Sequence, residues 1–202
     1  QKGRYREFYQ CDGDVIGTDS LLNEVELIQI IDDVFTGLGL NVTIKINNRK
    51  ILKGLANYIG QPRKFMDMTM AIDKLEKVGR EKVKEEMVQR GIPSDSVNKL
   101  DAFMDLEGDN RQKTHMLREM LSDDEGLQGV AETEEILEYM NVLSLNNVLE
   151  FDPRLARGLD YYTGTIFEVK ANDVEIGSIC GGGRYDDLTG IFGLQDVSGV
   201  GI

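Results

Sequence analysis

The feature that most constrains this chain is a change of hydrophobic period along it. Residues 4–59 alternate between strand and helix patterns, residues 61–147 carry helical patterns alone, and strand patterns return at Val148. Strand is expected over 4–16, helix over 19–38, strand over VTIKI (42–46) and helix over RKILKGLANYI (49–59). The first helix follows from Leu22, Val25, Ile28, Ile31, Val34, Phe35 and Leu38 at helical spacing. Asp19 or Ser20 can cap it, and Gly37 and Gly39 offer its stop. In the middle stretch, Gly91 with Pro93, Gly108, Gly126 and Gly129 punctuate a series of helices. VLEFD (148–152), TGTIFEVKA (163–171) and VEIGSIC (174–180) then read as strands. Neither flank alone has enough strands for a sheet with a buried face, so the two must build one sheet together. The middle is then an all-helical insertion.

With 202 residues, 41% of them hydrophobic, the chain can bury a sizeable core. Its formal charge of −13 argues against broad, sequence-independent nucleic-acid binding. Residues 61–150 contribute −8 of that charge. No apolar run approaches the roughly 20 residues of a membrane helix, and the opening QKGRYRE has no signal-peptide character. Cys11 and Cys180 lie far apart and match no zinc or redox spacing, which points to a reducing, cytoplasmic setting. The chain opens on a charged loop without Met and stops at SGVGI as a strand begins, which reads as a segment of a longer protein. His115 is the only histidine and lies in the helical stretch. There is no Ser-His-Asp set, no Cys-His pair and no metal-ligating cluster, so chemistry here rests on charge placement and positioning.

Three segments carry residue types suited to a site. In RYREFYQCDGD (4–14), a strand would place Arg4, Arg6, Phe8, Gln10, Asp12 and Asp14 on one face. Guanidinium forks match phosphate oxygens, Phe8 is a stacking surface, and Gln10 and Asp14 suit an N–H-bearing group. An exposed strand face with cross-strand salt bridges accounts for the same row. In RGLDYYTGTIFE (157–168), adjacent tyrosines on a strand face opposite ways, so only one of Tyr161 and Tyr162 is expected in a given pocket. In CGGGRYDDLTG (180–190), three glycines at a strand end permit positive φ and close approach to a ligand. A tight turn over a buried Tyr185 accounts for them equally. The run is neither a P-loop nor GxGxxG opening a nucleotide-binding helix.

Together, KGRYREFYQCDGD, RLARGLDYYTGTIFE and CGGGRYDDLTG, with VSGVGI following, resemble histidyl-tRNA synthetase, a class II aminoacyl-tRNA synthetase. The first looks like the end of that family's motif 2 loop and its following strand. The next two are similar to its two histidine-specific signatures, and VSGVGI looks like the approach to motif 3. The resemblance implies an α+β fold: a mainly antiparallel sheet flanked by helices, with an all-helical insertion. It divides the chain into catalytic core (1–60), insertion (61–147) and catalytic core again (148–202).

It further implies ATP-dependent activation of histidine to histidyl-adenylate and transfer to tRNA(His), by a protein that is a homodimer when full-length. Arg4 would reach the ATP phosphates, Phe8 would stack on adenine, and Arg6 would lie nearby. Gln10 would hold the histidine amino group and Asp14 its imidazole. Arg157 would bind the carboxylate and the α-phosphate as the catalytic cation, while Tyr161, Tyr162, Gly182 and Gly183 would shape the histidine pocket. Mg²⁺ would act on the phosphates rather than in a protein-held metal site. The family's motif 1, the first motif 2 arginine and the motif 3 arginine fall outside the chain, which is therefore expected to be inactive alone. Two other readings are an inactive synthetase-like regulatory module (a histidine-biosynthesis regulatory subunit or a stress-kinase domain) and an unrelated acidic scaffold.

Overall fold

A computed structural model describes residues 7–156 and 160–202. In chain order it contains β1 (Asp14–Ile16), α1 (Leu22–Gly37), β2 (Val42–Asn48) and α2 (Arg49–Tyr58). A 3-10 turn at Pro62–Lys64 leads to α3 (Phe65–Ile72), α4 (Leu75–Val78), α5 (Arg80–Gln89), α6 (Ser94–Asn98), α7 (Asp101–Met104), α8 (Asn110–Met120) and α9 (Asp124–Asn141). The chain closes with β3 (Val148–Phe151), β4 (Thr165–Ala171), β5 (Cys180–Tyr185), α10 (Leu188–Ile191) and β6 (Gly199–Gly201).

Among the described residues the strands form one sheet in the order β1-β6-β5-β4-β2-β3. All neighbours are antiparallel except β2 and β3. A parallel pair needs a long crossover, because the chain must return to the starting edge. Here α2 and the whole helical stretch supply it. Both flanks therefore do contribute to a single sheet, as their strand patterns require.

On β2, Val42, Ile44 and Ile46 are buried and alternate with half-buried Thr43 and Lys45. Their apolar cluster is continuous with that of the helices, running through Leu52 and Leu55 of α2, Val130 and Ile136 of α9, and on to Met87 and Phe103. The Asn48 side chain caps α2 by accepting from the Lys50 amide at 3.0 Å. A capping box of Asp109 and Gln112 starts α8, and Asp123 caps α9.

Four local expectations change. Among the described residues the opening strand is short: Asp14–Ile16 are strand, because residues 13–16 find partners at 199–202 and no backbone partner among the described residues pairs with 7–12. Gly126 and Gly129 do not break a helix; they lie inside α9 where it crosses α2. A Cβ on Gly129 would stand 2.8 Å from the Ile51 amide nitrogen, so the close approach of the two helices excludes a side chain there. VEIGSIC is not a strand before Cys180, and Val174 and Ile176 are exposed in the link between β4 and β5. The glycine triplet is instead the strand itself, with Gly181, Gly182 and Gly183 paired to Glu168, Phe167 and Ile166.

Candidate active site

At the β1-β6-β5 end of the sheet lies an open cavity of about 540 Å³. Its floor is Gly181 and Gly182 of β5 with Gly201 and Ile202. Bare backbone is required there. A Cβ on Gly182 would collide with the Gly201 carbonyl, and one on Gly201 with the Asp14 carboxylate. Removing side chains from these strands is what lets Asp14 lie against the floor.

One wall is Gln10, Asp12, Asp14 and Ile16. Of the row read from the sequence, Gln10, Asp12 and Asp14 share this lining although residues 7–13 are not strand. The Gln10 Nε2 donates to Asp12 Oδ1 at 3.0 Å. The opposite wall is aromatic: Tyr161, Tyr162 and Tyr185. Tyr161 meets Tyr162 edge-on at 4.7 Å between ring centroids and Tyr185 at 6.3 Å. Both adjacent tyrosines line the cavity, where strand alternation predicts one and the family resemblance implies both; residues 160–161 form a turn and β4 begins only at Thr165. Leu188, Thr189, Phe192 and Leu194 form an apolar rim.

The two walls are joined by one hydrogen bond. The Tyr185 hydroxyl donates to Asp14 Oδ1 at 2.5 Å. Burial, and then the Asp14 carboxylate, push the phenol well above the ordinary tyrosine range. Tyr185 thus stays protonated and acts as a donor.

Behind the floor, Arg184 on β5 binds Glu24 on α1 through two bonds of 2.6 Å, and both side chains are almost wholly buried. Arg184 also donates to Ser198; Ser198 donates to Asp186 at 2.5 Å, and Thr163 donates to Asp186 at 2.6 Å. This network ties α1, β5, the approach to β6 and the turn after the tyrosine pair.

Gln10, Asp14, Tyr161, Tyr162 and Gly182 therefore meet in one cavity. Gly183 lies beside it: its position is filled by the Thr165 carbonyl and the Tyr162 ring, each 2.8 Å from where a Cβ would stand. Phe8 is 67% exposed and outside the lining. Arg4, Arg6 and Arg157 fall outside the described residues. The residue whose role sequence reasoning missed is Tyr185. Its signal is its place in CGGGRYDD, which the sequence alone reads equally as a tight turn over a buried tyrosine.

Asp12 and Asp14 are the charged groups of the described lining, with no lysine or arginine among it. The two carboxylates can accept hydrogen bonds from an N–H-bearing group. Among the described residues no group of three His, Cys, Asp or Glu could hold a metal ion. No helix among them is long and apolar enough to cross a membrane.

The fold is synthetase-like. A histidyl-tRNA synthetase crystal structure from Nostoc superposes with a TM-score of 0.85 at 32% identity, covering 98% of this chain and 48% of that one. A structure described as an ATP phosphoribosyltransferase regulatory subunit/histidyl-tRNA synthetase from Bacillus halodurans shares the fold at 20% identity and a TM-score of 0.75, covering 95% of this chain and 50% of that one.

The family model for histidyl-tRNA synthetase matches residues 1–202, and the chain belongs to that family. Histidine–tRNA ligases from Bacteroides fragilis and Phocaeicola vulgatus are 59% and 57% identical over the whole chain. The chain spans about 45% of the length of each of these relatives.

Proposed function

We propose that the full-length protein carrying this chain is a cytoplasmic, homodimeric histidine–tRNA ligase. It joins histidine to ATP, giving histidyl-adenylate and pyrophosphate, and then transfers the histidyl group to tRNA(His). The observation that carries this reading is the convergence of Gln10, Asp14 and the tyrosine walls on one glycine floor. It occurs in a chain 59% identical, end to end, to histidine–tRNA ligase.

In this reading Gln10 accepts from the substrate's amino group and Asp14 from its imidazole N–H. Tyr185 consumes one oxygen of Asp14 and so orients the other. Tyr162 contacts the imidazole, Tyr161 and Gly182 close the pocket around it, and Gly183 backs Tyr162. An apolar competitor would leave these polar groups unpaired once it covered them, which supplies selectivity.

Arg157 neutralises the carboxylate and the α-phosphate as they meet, which favours the transition state for attack. Arg4 reaches the phosphates, Phe8 stacks on adenine with Arg6 nearby, and Mg²⁺ enters on the ATP. Residues 61–147 are the insertion between core segments 1–60 and 148–202.

The test is histidine-dependent ATP–pyrophosphate exchange on the full-length enzyme. Arg157→Ala should abolish it. Tyr185→Phe should raise KM for histidine about tenfold, the loss of one hydrogen bond to a charged group. Histidine binding without exchange would sink the enzyme reading and indicate a regulatory module. Exchange with another amino acid would sink the substrate.

A further inference from the structure

Adjacent residues of a strand face opposite ways. Tyr185 lines the cavity, while Arg184 before it turns back to Glu24 of α1. Asp186 follows just past the end of β5 and is not in the described lining. Its Oδ2 accepts from the Thr163 hydroxyl at 2.6 Å and its Oδ1 from the Ser198 hydroxyl at 2.5 Å. Its backbone amide donates to the Thr163 hydroxyl oxygen at 3.1 Å.

Each hydroxyl stands beside one wall of the cavity. Thr163 directly follows Tyr162, and its amide donates to the Arg184 carbonyl at 2.8 Å. Ser198 directly precedes β6, and its carbonyl accepts from the Gly17 amide at 3.0 Å, which closes the β1–β6 pair next to Ile16. Asp14 lies on that same short strand. One carboxylate thus spans the tyrosine side and the Asp14 side, with one oxygen to each.

Arg184 does not need the Asp186 charge. All five of its N–H donors are engaged elsewhere, with both oxygens of Glu24, the carbonyls of Thr18 and Ser20, and the Ser198 hydroxyl. Asp186 approaches the guanidinium only to 3.8 Å, and its side chain is 40% exposed, so it is no buried charge that the fold must neutralise. What a carboxylate supplies here, and an amide does not, is two acceptor oxygens for two O–H donors at once.

We propose that Asp186 is a positioning residue for the amino-acid site. Its carboxylate fixes the spacing between the turn that carries Tyr161 and Tyr162 and the strand pair that carries Asp14, so that the two walls close on the same N–H-bearing ring. It acts through the Thr163 and Ser198 hydroxyls, without touching the ligand. The kinetic part of this proposal rests on the ligase reading above.

The experiment uses the full-length enzyme with Asp186→Asn, Thr163→Val, Thr163→Ser and the Asp186→Asn/Thr163→Val double variant. Asp186→Asn and Thr163→Val should each raise KM for histidine about tenfold, the scale of one lost hydrogen bond to a charged group. KM for ATP should change by less than about threefold, a split that a general loss of stability would not produce. Thr163→Ser, which keeps the hydroxyl, should stay within about threefold of the parent in KM for histidine. The double variant should be no worse than the worse single, because both remove one shared interaction.

Amide hydrogen exchange gives a readout free of activity. The Thr163 and Gly17 amides donate across the two junctions, and both should exchange faster in Asp186→Asn. A folded Asp186→Asn enzyme with the parent KM for histidine overturns the proposal, and so does one whose KM for ATP rises as far. A double variant whose losses multiply overturns it too. If Asp186→Asn fails to fold, the contrast of Thr163→Val with Thr163→Ser decides: equal KM values for histidine overturn the proposal. A parent enzyme without histidine-dependent ATP–pyrophosphate exchange sinks the ligase reading instead, and unchanged protection of both amides in Asp186→Asn then overturns the positioning.

Discussion

Arg184 and Arg90 each sit among carboxylates, in opposite surroundings. The Arg184 side chain is 5% exposed and its partner Glu24 is 0% exposed, with two short bonds between them. Arg90, just past the end of α5, is 25% exposed and shares Glu86 with Lys74, while also facing Asp67. The first arrangement joins α1 to β5 under the candidate site. The second decorates the surface of the helical block, where Arg80, Lys84, Asp101 and Asp105 repeat the pattern. Buried charge is desolvated, so its geometry must be held; surface charge is hydrated either way, and its geometry matters little. Charge in the sheet region therefore specifies position, and charge in the helices mainly keeps the surface solvated.

The largest test of this contrast removes one buried partner. Glu24→Ala should destabilise the protein by about 3–5 kcal/mol, because it strands the Arg184 cation. Replacing both with apolar residues (Glu24→Leu with Arg184→Met) should recover much of that stability in urea unfolding. If the single change is as mild as a surface one, the contrast fails.

Gly182→Ala comes next. Its Cβ would collide with the Gly201 carbonyl, so β5 and β6 must part, at about 1–3 kcal/mol in thermal unfolding. Histidine binding to the full-length enzyme should weaken with it.

Asp32 is an intermediate case, pinning the link between α9 and β3 onto α1. Its carboxylate accepts from the backbone amides of Asn146 and Asn147 at 2.9 and 2.8 Å, and from both side-chain amides. Burial alone would raise its pKa, but these bonds outweigh that and hold it below the usual value. A carboxyl whose folded pKa is depressed stabilises the fold above its unfolded value, about 3.9. That contribution is lost as pH falls through the lower, folded value. Asp32→Asn should cost about 1–2 kcal/mol near neutral pH, and the gap from the parent should close as the solution is acidified below the unfolded value.

Smallest of all, Arg118→Ala, which breaks an exposed pair with Glu134, should change stability by under about 1 kcal/mol, and by less in high salt.

Some of this was legible in the sequence and some was not, for reasons visible in single residues. VTIKI alternates because one face of β2 is buried, and α1 shows its period because one stripe faces the sheet. The row Gln10, Asp12, Asp14 reached the pocket because alternate side chains of an extended chain share a side, paired or not. Gly126 and Gly129 misled, since a glycine that ends a helix and one that admits a neighbour are identical in sequence. The glycine triplet misled in the same way: extended strand or turn depends on whether a partner strand lies alongside. Strand alternation would put one tyrosine of the pair in the pocket, but the pair lies in the turn before β4, which ends on the Thr163–Asp186 and Thr163–Arg184 bonds.

By itself the sequence determined the helical and strand periods, the acidic balance of the middle stretch, and the order of the three chemistry-bearing segments that carry the family resemblance. Those are properties of neighbours along the chain. Tertiary structure alone decided that Asp14 meets Tyr185, 171 residues away, that Glu24 answers Arg184, and that Arg49 lies buried over the Phe65 ring. Such pairs depend on strand order and on what a missing Cβ allows to approach, and no local period encodes either.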